Sequence, residues 1–170
     1  MRQSKKILFA VALILMSTEI ASGAQLDWVL PIKKYTPGAT SPSVNQDNIQ
    51  STICKSGWTD TIRPSTSYTN KLKTDQLAST YKSFAKKWGT NLSAYEEDHL
   101  ISLQLGGHPT DPKNLWPQEW DADWGAHRKD VIETRLKRMV CAGKITLAEA
   151  QHDIATDWVA AYKKYIPIKN

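Results

Sequence analysis

The chain has 170 residues, with 22 Lys+Arg, 17 Asp+Glu, 4 His and 2 Cys, a length that suits one domain. A mean hydropathy of -0.47 excludes a polytopic membrane protein, and seven Trp with six Tyr exclude a wholly disordered chain. The net charge of +5 suits an anionic partner without demanding one, and two cysteines are too few for a disulfide-dense miniprotein or a zinc ribbon.

The first residues read as an export signal. Arg2, Lys5 and Lys6 precede an uncharged apolar run from Ile7 to Met16, too short to span a bilayer comfortably. Ser22-Gly23-Ala24 then supplies the small residues of a cleavage site, so residues 1–24 are expected to be removed after Ala24, an uncleaved anchor being the alternative. Loss of three basic residues and one acidic residue takes the net charge from +5 to +3. The expectation is an exported protein, periplasmic or released, monomeric and free of the membrane after cleavage. In that oxidising setting Cys54 and Cys141 are expected to form one disulfide, worth about 4–5 kcal/mol in the chain-entropy model.

Residues 25–45, rich in Pro, Gly, Ser and Thr, suggest an extended arm draped on a single domain of residues 46–170. Asn45 to Cys54 suggests a short helix capped by Asn45, and Trp58 to Ile62 a short strand stopped by Pro64. Tyr68, Leu72, Leu77, Tyr81, Phe84 and Trp88 recur near one face of a helix over Ser67 to Trp88, with Gly89 as its stop. An apolar segment, Tyr95 to Leu105, ends at Gly106-Gly107. Ala126 to Val140 is helical by pattern, with Ala126, Val131, Leu136, Met139 and Val140 on one side. Thr146 to Glu149 is a capping-box signature opening a last helix that buries Leu147, Ala150, Ile154, Trp158 and Ala161. The fold class is α+β, mostly helical.

The chemistry concentrates between Tyr95 and Asp130. Three carboxylates precede His99, and a carboxylate beside an imidazole can hold a divalent metal or orient a general base. Strand alternation puts Glu97 and His99 on one face; Asp98 and His99 share a site only if the strand ends or distorts there. The double Gly permits a sharp turn, and Asn114 can cross-brace a loop because its amide both donates and accepts. His127, Lys129 and Asp130 open a helix, where backbone N–H groups favour a phosphate. Trp116, Trp120 and Trp124 are expected as core or rim packing, base stacking being the alternative.

The order Asp98-His99-Leu100-Ile101, Gly106-Gly107, Asn114-Leu115 resembles the HNH endonucleases, whose core is a ββα-metal finger. The wider chain, in Gly57-Trp58-Thr59, Glu96 to Leu100, Asn114 to Pro117 and Ala148 to Gln151, is similar to a group of small secreted bacterial HNH-like proteins. The resemblance implies a finger over about residues 95–140 and a metal-dependent nuclease cutting DNA, with RNA as the alternative substrate, with little sequence specificity. It assigns His99 as general base, Asn114 as the residue that fixes the finger loop, Lys129 as a phosphate contact and Asp98 as a ligand of Mg²⁺ or Mn²⁺. His127 is the best match to the last metal ligand, with Asp130 as the fallback. The chain departs from the pattern in Ser102, where Pro is common, in a longer gap from Asn114 to His127, and in lacking the Cys pairs that often brace the finger. A non-catalytic binding module built on the same scaffold is the alternative.

Overall fold

The computed structural model describes residues 28–167; the expected signal and its cleavage site lie outside them. Among the described residues four α-helices, five short 3₁₀ turns and one antiparallel strand pair make a mixed α+β fold. The helices are α1 (Thr66–Ala78), α2 (Lys82–Trp88), α3 (Ala126–Cys141) and α4 (Leu147–Tyr165), and the strands are β1 (Tyr95–His99) and β2 (Leu115–Glu119). β1 and β2 pair with Tyr95 opposite Glu119 and His99 opposite Leu115, and the Leu100 N–H donating to Asn114 O extends the ladder by one step.

Two apolar clusters flank this pair. One gathers Ile49, Ile53, Leu105, Leu136, Val140 and Ile154 between α3, α4 and the turn over Gln46–Ser51. The other gathers Leu77, Tyr81, Phe84, Tyr95 and Trp116. The Cys54–Cys141 disulfide, with Cα atoms 5.6 Å apart, ties the end of α3 to the segment after that turn, as expected. The turn is 3₁₀ rather than α, and its Asn45 cap is reciprocal: the Asn45 side chain accepts from Asn48 N and Asn48 Oδ1 accepts from Asn45 N.

Three local expectations need correction. Trp58–Thr61 is a 3₁₀ turn, not a strand: Gly57 enters it with φ +74°, and Thr61 Oγ1 donates back to Trp58 O at 2.6 Å, closing the segment on itself. The long helix over Ser67 to Trp88 is broken at residues 79–81. Tyr81 N bonds Gln76 O at 2.7 Å, and the Tyr81 ring turns inward to meet Phe84 edge-on at 5.0 Å. In α3 the inner face carries Lys129, Ile132 and Glu133, while Val131 is 47% exposed. Two charged residues inside disguise the face. In α4 the expected apolar face is buried as a whole, and Thr146 caps the helix by accepting from Glu149 N. The helix is interrupted at Asp157, whose Oδ1 accepts from Val159 N and Ala160 N and so caps a fresh start.

The arm is part of the packed structure over its described residues, 28–45. Thr40 bridges Gly107, Gly38 N bonds Lys113 O, and Ser41 N bonds Gly106 O. Buried Thr36 links Tyr81 Oη to Leu115 O, taking a hydrogen bond from the first at 2.8 Å and giving one to the second at 3.2 Å.

Candidate active site

β1 ends at His99, and this resolves the question of faces. Asp98 and His99 both line a small cavity of about 70 Å³, with Arg63, Glu96, Ser102, Asp130 and Glu133 around it. Glu97 and His99 line a neighbouring cavity of about 240 Å³, shared with Arg63, Lys73, Glu96 and Trp120. His99 therefore stands between two polar cavities and belongs to both.

The imidazole has a defined state. Its Nε2 lies 2.9 Å from Pro109 O, and a carbonyl only accepts, so Nε2 carries the proton and Nδ1 the lone pair. Nδ1 has no protein partner among the described residues and is not sealed from solvent. Burial holds the His99 pKa below its usual value, against the pull of the Pro109 hydrogen bond and of Asp98, so the ring is neutral at pH 7.

Pro109 O is placed by the loop over residues 100–113, and Asn114 holds that loop. The Asn114 side chain is fully buried. Its Nδ2 donates to Ile101 O at 2.9 Å and His108 O at 3.1 Å, and its Oδ1 accepts from Ile101 N at 2.9 Å. The two glycines are required for different reasons. Gly106 has φ +72°, whereas a Cβ on Gly107 would stand 1.7 Å from Ile101 O and 2.8 Å from Asn114 Nδ2. Asn114 thus braces the loop that presents Pro109 O to His99.

Lys129 is not a surface phosphate contact. It is fully buried; its ammonium donates to Glu133 Oε1 at 2.5 Å and His99 O at 2.7 Å and forms an ion pair with Asp98 Oδ2 at 2.7 Å. Burial alone would lower its pKa; the two carboxylates outweigh that and raise it. Asp98 Oδ1 in turn accepts from His99 N at 2.8 Å. This ion cluster fixes the end of β1 onto α3.

His127 is placed elsewhere. It precedes Lys129 by two residues, which on a helix of 3.6 residues per turn puts it on nearly the opposite side. Its side chain is 60% exposed, 3.9 Å from Asp121, with its ring against Trp120 at 4.2 Å. Asp130, by contrast, reaches the small cavity beside Asp98 and His99.

Among the described residues no three His, Cys, Asp or Glu side chains form a ready-made metal centre. The donor chemistry of the small cavity nonetheless fits a hard divalent cation. Glu96, Asp98, Asp130 and Glu133 surround it, against the Lys129 ammonium behind it and Arg63 at its wall. Burial and the Asp98 and Asp130 charges push Glu96 up to about 8, and burial with Asp98 likewise raises Asp130. A bound cation relieves carboxyl groups raised by burial and neighbouring negative charge. Glu97 faces the other cavity with both carboxylate oxygens buried and unpartnered, and burial pushes it up to about 9.

Arg63 escaped the sequence reading. It lines both cavities and makes no hydrogen bond or ion pair among the described residues. Its only local signals are that it alone is basic between Lys55 and Lys71, and that Pro64 and the Ser65 cap set the turn into α1 behind it. Comparison of the chain with known protein families, curated proteins and solved structures finds no match.

Proposed function

We propose that the protein is an exported, metal-dependent endonuclease that hydrolyses phosphodiester bonds in DNA, and RNA also, with little sequence specificity. In this reading β1, β2 and α3 form a ββα-metal finger, and the enzyme acts as a monomer. One observation carries the proposal. His99 is a neutral imidazole with its proton committed to Pro109 O, and it shares two cavities with Arg63; among the described residues neither its Nδ1 nor that guanidinium has a partner.

Arg63 pairs with a phosphate oxygen and sets the scissile group against His99. His99 Nδ1 takes the proton of the attacking water, and the Pro109 hydrogen bond keeps the ring in the accepting tautomer. Asp98 and Asp130, with Glu96 beside them, are the residues that would hold the cation, Mg²⁺ or Mn²⁺; when bound it polarises the phosphate and neutralises charge on the leaving oxygen. Asn114 and Lys129 are positioning residues, one for the loop and one for the strand end. The disulfide supports an oxidising compartment. Contacts of this kind go to the backbone, so they read no bases.

The lack of a preassembled three-ligand group favours a second reading, a non-catalytic binding module on the same scaffold. The test uses residues 25–170 with the disulfide intact, supercoiled plasmid, and Mg²⁺ or Mn²⁺. Cutting is expected, and is expected to vanish in EDTA, in His99→Ala and in Arg63→Ala. Melting should shift upward with metal in the parent chain and much less in Asp130→Asn. A folded protein that leaves plasmid, single-stranded DNA and RNA intact overturns the nuclease in favour of the binding module.

A further inference from the structure

Trp120 forms a wall of two cavities. One is the 240 Å³ cavity holding His99 and Arg63. The other, about 360 Å³, is lined by Trp120 together with His127, Val131, Tyr162, Asp121 and Asp123. The backbone that carries Trp120 is held on both sides. Its backbone N–H donates to Ala94 O at 2.9 Å, and the loop behind it closes on Gly125, where a Cβ would meet the carbonyl oxygens of Trp120, Ala122 and Glu119 at 2.7–2.9 Å. His127 supports the ring edge-on at 4.2 Å.

The chemistry of this second cavity differs from that of the first. Its arginine, Arg128, already lies over the Trp124 ring at 4.8 Å and the Tyr162 ring at 5.8 Å. Asp121 and Asp123 repel phosphate. Flat aromatic walls and the apolar, solvent-facing Val131 remain. That combination rejects a phosphate and accepts a flat, uncharged heteroaromatic ring. A phosphate at Arg63 and a ring against Trp120 are the two parts of one nucleotide strand.

We infer that this second cavity takes one unpaired nucleobase of a strand whose phosphate lies at His99 and Arg63, with the Trp120 indole as the stacking surface. The inference rests on the nuclease reading and makes single-stranded nucleic acid the preferred substrate, because a base within a duplex has both faces stacked and cannot enter. His127 then serves the base rather than a metal.

The test measures binding in EDTA, without cutting, of two fluorescein-labelled 12-residue strands of equal charge: oligo-dC and an abasic phosphodiester backbone. Trp120→Ala is expected to weaken oligo-dC binding roughly 5- to 150-fold and to leave the abasic strand unchanged. Trp120→Phe, which keeps a ring, is expected to restore most of the loss, and thermal melting of both variants checks their folding. Equal weakening of the two strands, or no weakening of either, overturns the inference. A parent protein that cuts plasmid yet binds both strands equally overturns it alone; one that neither cuts nor binds overturns the nuclease reading with it.

Discussion

Lys129 and Arg63 are two cations within reach of the same carboxylates, and their surroundings give them opposite duties. Lys129 is paired with two carboxylates in the interior, so Lys129→Met strands Asp98 and Glu133 as buried, unpaired charges and should cost about 3–5 kcal/mol in urea unfolding. Arg63→Ala breaks no bond seen in the fold, and its stability should stay within about 0.5 kcal/mol of the parent. Equal losses would mean that Arg63 is structural. Neither duty was legible in the sequence. Periodicity assigns a lysine at the start of a helix to the outside, and no local pattern announces that an arginine 36 residues before His99 will stand beside it. A second residue-scale consequence concerns Glu97. Its folded carboxyl group titrates at about 9 and its unfolded one near 4.5, so the folded state keeps a proton that the unfolded state loses. Stability is then whole below pH 4.5 and falls as pH rises toward 9, by up to about 1.4 kcal/mol per pH unit. Glu97→Gln should flatten that slope: relative to the parent it should gain stability at pH 8 and not at pH 5. Identical pH profiles would show that Glu97 ionises freely.

At the scale of elements, the strand pair and its loop form one device. Asn114 saturates Ile101 on both its N–H and its C=O, and the amide cannot be replaced by its nearest isostere. Asn114→Asp presents an acceptor to the Ile101 and His108 carbonyl oxygens where a donor stood. It should destabilise the fold by about 1–3 kcal/mol for the buried groups left unpaired, with faster amide exchange at Ile101. Unchanged exchange would remove Asn114 as the brace. This part was readable: Gly-Gly answers a turn that leaves no room for a side chain, and Asn114 answers a loop that needs a donor and an acceptor on one amide. The helices were half readable. The α4 face is apolar throughout, so its period is plain. In α3 the face turns on Lys129 and Glu133, and hydrophobicity cannot find an ion pair. The break between α1 and α2 escaped because Tyr81 keeps nearly the helical spacing while turning out of the helix to bond Thr36, 45 residues away.

For the whole molecule, the Cys54–Cys141 bond joins segments 87 residues apart and closes most of the described chain into one loop. Reduction should cost about 4–5 kcal/mol by the loop-entropy argument, seen as a lower melting temperature in the Cys54→Ala, Cys141→Ala double variant at neutral pH. A variant that melts with the parent would show that the flanking cluster alone holds α3 in place. The pairing was legible from cysteine count and expected export. The position of the arm was not, since Pro, Gly and Ser say only that a segment is irregular.

The seam between that arm and the loop around His99 has a consequence for anyone who wishes to cut the protein down or move its site into another scaffold. Gly38, Ala39 and Ser41 stitch the arm to Gly106, His108 and Lys113, and Ala39 N also reaches Asn114 Oδ1 at 3.4 Å. The unit that sets the protonation of one imidazole is therefore discontinuous along the chain. A minimal fragment beginning at residue 46 keeps every residue named in the chemistry and discards the clasp that holds their loop shut. Supplying residues 28–45 as a separate peptide should close it again.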